Sequence, residues 1–156
     1  MGKTSYALAL GSNRRSRHGS PAATVRAALA VLGVERASSI RATAALGPAG
    51  RSFANAAAIL ASELDPPALL DRLKEIERAF GRRGGRKWGA RVLDLDIILW
   101  SGGAWAEPGL VVPHPEMRRR RFVLEPLAEI APDWRDPLTG ASVRQLLHRL
   151  NKAGKW

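Results

Sequence analysis

The chain has no cysteine, which excludes disulfides and thiolate metal sites and suits a reducing compartment. It has no apolar run approaching the roughly 20 residues that a membrane helix needs. The N-terminal stretch from Tyr6 to Leu10 is too short for a signal peptide and soon meets charge at Arg14, so a cytoplasmic location is expected. Aromatic residues make up only 6%, and no Lys/Arg-Gly-Phe/Tyr segment is present, which speaks against a sheet built to stack bases. Acids are scarce as well: 14 Asp and Glu stand against 25 Lys and Arg, a net charge of +11 that favours polyanionic partners such as nucleotide phosphates or nucleic acid. What is plentiful is apolar content, 46% of 156 residues, enough for one domain, residues 1–156, with a real core.

Local signals divide the chain cleanly. Ser5 to Leu10 reads as a buried strand ending at Gly11-Ser12-Asn13. Ser20 followed by Pro21 marks a helix start, with the helix running to Leu32 and closed by Gly33. Strands are expected over Ala37 to Thr43 and Phe53 to Glu63, joined by a turn-rich segment. Asp65-Pro66-Pro67 opens a second helix whose Leu69, Leu70, Leu73, Ile76 and Phe80 recur at helical spacing up to Gly81. A further strand carries Asp94 and Asp96, and a Pro-bounded segment spans Val111 to Pro115. Helices are expected over Phe122 to Ile130 and from Ser142, where Gln145 completes a capping box, to about Leu150. Strand, helix, strand, strand, helix, strand is the ferredoxin-like βαββαβ order. It predicts an α+β fold: a mainly antiparallel sheet with helices packed on it and a C-terminal helical extension.

Chemistry concentrates in three places. In an extended strand Asp94 and Asp96 share one face, while Leu93, Leu95, Ile97 and Leu99 are expected on the other. Two close carboxylates repel unless a cation lies between them, and Mg²⁺ is typically held by one or two carboxylates plus substrate phosphates. Directly before them runs a Gly-rich loop with Arg82, Arg83, Arg86, Lys87 and Arg91, suited to anion capture, in which Trp88 needs something to pack on. Third, His114 stands between Pro113 and Pro115, followed by the run Arg118–Arg121 and Phe122. The proline-restricted backbone could aim the imidazole at a phosphate oxygen.

Taken in order, these segments resemble the 6-hydroxymethyl-7,8-dihydropterin pyrophosphokinase family over nearly the whole chain. The resemblance rests on Ala9-Leu10-Gly11-Ser12-Asn13, Leu46-Gly47-Pro48, Phe53-x-Asn55, Ile76-Glu77 with Gly81-Arg82, Trp88-Gly89-x-Arg91-x-Leu93-Asp94-Leu95-Asp96-Ile97 and Val112-Pro113-His114-Pro115, and on Arg121-Phe122-Val123-Leu124. It implies transfer of pyrophosphate from ATP to the pterin hydroxymethyl group in folate biosynthesis, with two Mg²⁺ ions on Asp94 and Asp96. It implies further that Arg82, Arg91 and His114 serve the phosphates, and that Thr43, Leu46, Phe53, Asn55, Trp88 and Phe122 form the pterin site. Glu77, Ile97 and Arg120 join Arg82, Arg91 and His114 on the nucleotide side. The resemblance leaves open the choice between Arg83 and Arg86, and between Arg120 and Arg121. The loop Arg14 to Gly19 is longer and more basic than the family's usual connection. The expected partners are small molecules, with no nucleic acid, no membrane and a monomeric chain; the competing reading is a basic ferredoxin-like nucleic-acid-binding module.

Overall fold

The computed structural model describes residues 2–43, 52–81 and 92–153. The chain runs β1 (Thr4–Ser12), α1 (Pro21–Leu32), β2 (Arg36–Ala37), β3 (Arg41–Thr43), β4 (Phe53–Ser62), α2 (Pro66–Ala79) and β5 (Asp94–Trp100). A small hairpin follows, β6 (Trp105–Glu107) and β7 (Leu110–Val112), then one 3-10 turn (Met117–Arg119), α3 (Arg121–Ile130) and α4 (Val143–Ala153). The main sheet has the order β2-β4-β1-β5, with β3 also on β4, and its pairings are antiparallel. This is the expected ferredoxin-like α+β arrangement.

The helix starts follow from the local chemistry. Ser20 Oγ accepts from the Ala23 N–H at 3.2 Å, and Asp65 Oδ1 accepts from the Ala68 N–H at 3.0 Å, each ahead of a proline whose missing donor costs nothing there. Such a cap stabilises by about 1 kcal/mol. Ser142 and Gln145 exchange hydrogen bonds at 2.9 and 3.1 Å, the reciprocal box the sequence predicts. Gly33 stops α1 in the left-handed region at φ 66, where a side chain would be strained.

Alternation along β1 divides the core between the two faces of the sheet. Tyr6, Leu8 and Leu10 join Val25 and Leu32 of α1 and Leu69, Leu73 and Ile76 of α2 in one cluster. Ala7 joins Met117, Leu124, Leu127 and Leu146 in a second cluster, so the C-terminal helices cover the opposite face rather than extending the first.

Three sequence expectations need correction. The strand expected over Ala37 to Thr43 is broken into β2 and β3. Between them Ser38 N–H donates to the Ala57 carbonyl, while Ser38 Oγ accepts from the Ala57 N–H in place of a main-chain carbonyl. Ahead of the Pro-bounded segment Val111 to Pro115 the chain forms the unexpected β6–β7 hairpin, turning at Pro108 and Gly109, and β7 runs into that segment. Leu99 does not share the face of Leu95 and Ile97. Leu8 pairs with Ile97 and Ala7 with Leu99, leaving Ile98 as a β-bulge, so that Ile98 and Leu99 both lie in the second cluster.

Candidate active site

The helices of the second face leave one end of the sheet uncovered, and there the chain forms a cavity of about 470 Å³. Small residues make the floor. In register, Asp94 of β5 pairs with Gly11 of β1, which pairs with Asn55 of β4. Two residues along, on the same face, Asp96 pairs with Ala9. Strands lie about 4.8 Å apart, so the Asp94 and Asn55 backbones stand roughly 10 Å apart across the bare glycine. A β-carbon on Gly11 would lie 3.3 Å from Asn55 Oδ1, which shows how closely the amide lies over that strand.

The walls come from elsewhere in the chain. Phe53 at the start of β4 and Phe122 in the first turn of α3 both line the cavity, and both are unusually exposed for phenylalanine, at 46% and 52%. Pro126 inside α3 cannot donate to the Phe122 carbonyl, so the turn carrying Phe122 lacks one helical bond. Arg120 also lines the cavity, its guanidinium 5.7 Å from the centre of the Phe122 ring. Arg121 turns away instead, donating from Nε to Asn151 Oδ1 at 3.0 Å. Of the two arginines, then, it is Arg120 that reaches the site.

His114 lines the cavity together with the two aspartates. The Val112–Pro113 peptide is cis, and the His114 N–H donates to the Ile98 carbonyl at 2.9 Å, docking the segment on the bulge. His114 Nδ1 accepts from the Glu116 N–H at 3.1 Å, so in the neutral ring the proton is assigned to Nε2. The hydrogen bond from Arg119 holds the Glu116 carboxyl below the usual carboxylate range, keeping a negative charge beside the imidazole.

A second cavity of about 290 Å³ opens at the outer edge of β5, lined by Leu70, Leu95, Ile97, Leu110 and Val111 together with Asp96 and His114. The two cavities thus share Asp96 and His114. Glu77 lines neither. It is 4% exposed, and its Oε2 accepts from the Leu95 N–H at 2.7 Å, bracing the strand between the two aspartates from behind.

Among the residues predicted from sequence, the structure therefore gathers Asp94, Asp96, His114, Phe53, Asn55, Phe122 and Arg120 around one cavity, with Ile97 in the adjoining one. Thr43 is placed only by its backbone pairing with Phe53. Leu46, Arg82, Arg83, Arg86, Trp88 and Arg91 lie outside the described residues. Sequence reasoning missed Ile98 and Val123 as lining residues; alternation carries Ile98 to the face of Asp94 and Asp96, but an unbroken apolar run gives no reason to assign it to a site. The basic loop it singled out after Asn13 packs on the end of α2: Arg17 Nη2 donates to the Ala79 carbonyl at 2.9 Å, and the His18 ring stacks on Phe80 at 4.6 Å.

The donor set suits a hard divalent cation. Two carboxylates one residue apart on an exposed strand face supply oxygen ligands, and among the described residues no group of three or more His, Asp or Glu side chains could cage an ion by itself. An ion there would complete its shell with ligand oxygens, as Mg²⁺ does. Among the described residues no helix is long and apolar enough to cross a membrane.

Comparison with known proteins agrees with the geometry. The family model for 7,8-dihydro-6-hydroxymethylpterin-pyrophosphokinase (HPPK) matches residues 7–132. A Synechocystis protein named 2-amino-4-hydroxy-6-hydroxymethyldihydropteridine pyrophosphokinase is 43% identical over 130 residues, covering 83% of this chain and 67% of that protein. The Bacillus subtilis protein of the same name is 37% identical over 145 residues, covering 88% of this chain and 84% of its own length. Among solved structures, wild-type Plasmodium falciparum HPPK-DHPS superimposes with a TM-score of 0.73 at 13% identity, over 94% of this chain and 41% of that one. The chain thus spans less than half of that protein, and the likeness bears on fold alone. The chain belongs to the 7,8-dihydro-6-hydroxymethylpterin-pyrophosphokinase family, and it is an enzyme of the pyrophosphokinase kind.

Proposed function

We propose that the chain transfers the terminal diphosphoryl group of ATP to the hydroxymethyl oxygen of 6-hydroxymethyl-7,8-dihydropterin, releasing AMP, and that Mg²⁺ is required. The observation that carries this reading is the pair of cavities meeting at Asp96 and His114. A flat heterocycle in the larger cavity would lie between Phe53 and Phe122, with the Asn55 amide at its hydrogen-bonding edge. A nucleotide base in the smaller one would pack on Leu70, Leu110 and Val111. Because Leu95 turns its N–H to the outer edge of β5, the same alternation turns the Ile97 N–H and C=O there, where they can read a base. The phosphates then bridge the two cavities past Asp96 and His114.

Diphosphoryl transfer needs positioning and charge neutralisation rather than a protein nucleophile. Asp94 and Asp96 would hold Mg²⁺, two ions by family resemblance, which when bound neutralises phosphate charge. His114 donates from Nε2 to a phosphate oxygen, and Arg120 brings a fixed positive charge to the same wall. Arg82 and Arg91 are proposed to add charge as the β-phosphorus is attacked. Thr43, Leu46 and Trp88 are proposed to complete the pterin site, with residues 1–156 acting as one cytoplasmic, monomeric unit.

The test is AMP release from ATP, Mg²⁺ and the pterin, by wild type and by Asp96→Asn. Turnover that vanishes in the variant, with the fold preserved by circular dichroism, supports the assignment. A wild type that forms no AMP refutes the reading, and an Asp96→Asn enzyme with normal turnover at limiting Mg²⁺ refutes the metal role.

A further inference from the structure

His114 and Arg120 border the larger cavity from the two ends of one short segment, and that segment has little structure of its own. It contains a single 3-10 turn with no side-chain cap. Besides the His114 N–H bond to the Ile98 carbonyl at its start, two side chains anchor it. Met117 is fully buried in the second cluster. Beside it, Arg118 Nε donates to Asp136 Oδ2 at 2.7 Å.

Asp136 is no ordinary surface partner. It is 0% exposed, its Oδ1 accepts from the Leu138 N–H at 3.0 Å, and its Oδ2 also accepts from Thr139 Oγ at 2.9 Å. Its main chain closes the same turn, with N–H donating to the Ala141 carbonyl and C=O accepting from the Gly140 N–H. Burial pushes the Asp136 carboxyl up, but the donors, led by Arg118, outweigh it and leave the group below the usual carboxylate range. Meanwhile Arg118 Nη2 is buried without a hydrogen-bond partner among the described residues, so Asp136 is the counter-charge that holds this guanidinium in place. The neighbouring Arg119–Glu116 pair is solvent-facing and screened, a weak tether by comparison. Asp136 and Arg118 line neither cavity.

We propose that Asp136, acting through Arg118, is a positioning residue for catalysis: the buried pair fixes the 3-10 turn and thereby the placement of His114 and Arg120 against the phosphates. The inference rests on the pyrophosphokinase reading for its functional consequence, but not for its structural one. The planar guanidinium clamped by a carboxylate sets orientation as well as distance, which an apolar contact at the same place would not.

The experiment compares wild type with Asp136→Asn, Arg118→Met, the double variant, and Leu60→Ala as a destabilised control in the cluster on the opposite face of the sheet. Two quantities are read: steady-state kinetics, and the ¹⁵N shifts of the His114 ring at one fixed pH, assigned with His114→Gln. We expect each single variant to lower kcat about tenfold to a hundredfold, since small misplacements cost that much. Both KM values should stay within about threefold, as expected when transition-state contacts are what is lost. The double variant should be no worse than either single one, because the two residues act as a unit. The His114 shifts should move in all three variants and not in Leu60→Ala. If Asp136→Asn proves unfolded, Thr139→Val, which removes one donor from the same carboxylate, should shift His114 in the same direction by less. The proposal is overturned if Asp136→Asn keeps wild-type kcat and His114 shifts while only its melting temperature falls, or if the singles multiply in the double. Absence of wild-type turnover would strike the pyrophosphokinase reading instead, and the His114 shifts would still decide the positioning claim.

Discussion

Phe122→Ala should separate binding from folding more sharply than any other single change in the site. The side chain is 52% exposed, although Val123 and Leu124 beside it are buried. A phenylalanine presents about 200 Å² in all, so roughly 100 Å² of Phe122 faces the cavity and solvent. A flat ligand covering one ring face would remove about half of that from water, worth about 1.3 kcal/mol at ~25 cal/mol per Å². Ring–ring stacking adds about 0.5–1.5 kcal/mol. The sum, about 2–3 kcal/mol, corresponds to roughly a 30- to 150-fold rise in the dissociation constant. Folding should lose less than a core truncation does, about 1–2 kcal/mol: the roughly 100 Å² already buried is worth at most about 2.5 kcal/mol at ~25 cal/mol per Å², and alanine is the better helix former by about half a kcal/mol. Calorimetric titration with 6-hydroxymethylpterin and a non-hydrolysable ATP analogue measures the first quantity, and a thermal melt the second. Phe80 is the internal contrast: it is 7% exposed and stacked on His18, so Phe80→Ala should cost about 3 kcal/mol of stability while pterin affinity in the folded fraction is retained. Pterin affinity within threefold of wild type in Phe122→Ala would refute the stacking argument, as would a melting temperature that falls as far as in Phe80→Ala.

Three further outcomes can be checked. Gly11→Ala places a β-carbon 3.3 Å from Asn55 Oδ1, so the amide must yield; the KM for the pterin should rise about tenfold, with the melting temperature nearly unchanged. Glu77→Ala leaves the buried Leu95 N–H without its acceptor and should cost about 1–3 kcal/mol in urea unfolding, whereas Glu77→Gln keeps an acceptor and should lose less. Asp136 has a depressed carboxyl pKa in the folded state. Below the unfolded value of about 3.9, the unfolded chain therefore binds more protons than the native one. Its stabilisation is complete above about pH 4 and is lost as pH falls through the folded value. Asp136→Asn should be less stable at neutral pH but flatter in acid, as read from urea midpoints taken from about pH 6 to about pH 3.

The features legible in the sequence were those decided within a few residues. Ser20-Pro21, Asp65-Pro66 and Ser142–Gln145 each satisfy a helix end locally, and each is where the structure places one. The Asp94/Asp96 pair was legible from strand alternation, but its convergence with Asn55 and the two exposed phenylalanines only through motif order, because no periodicity says that residues so far apart in the chain meet at one cavity. The choice between Arg120 and Arg121 was not legible. Four consecutive arginines look alike in sequence, and it is the passage from a 3-10 turn into α3 that sends Arg120 to the cavity and Arg121 to Asn151. The hairpin at Pro108-Gly109 carried an ordinary turn signal, yet its strands are only three residues long, too short for alternation to show.

The bulge at Ile98 shows most clearly why local pattern fails. Up to Ile97 the strand alternates, because one side faces a core and the other an open cavity, and residues there must differ in polarity. Past Ile97 both faces are covered, by α1 and α2 on one side and α3 and α4 on the other, so Ile98, Leu99 and Trp100 can all be apolar and the register leaves no trace. One inserted residue then does two jobs at the boundary between those regimes. It carries Leu99 to the second face, where it packs with Met117 and Leu124, and it presents the Ile98 carbonyl to the His114 N–H at 2.9 Å. The imidazole is thereby fixed to the same strand, one residue past Ile97, that carries the carboxylates. Sliding β5 by one residue to remove the bulge would reverse Asp94 and Asp96 into the apolar cluster, a cost of several kcal/mol for each buried charge. The strand's register is therefore locked by the site's two acids as much as by the core's leucines.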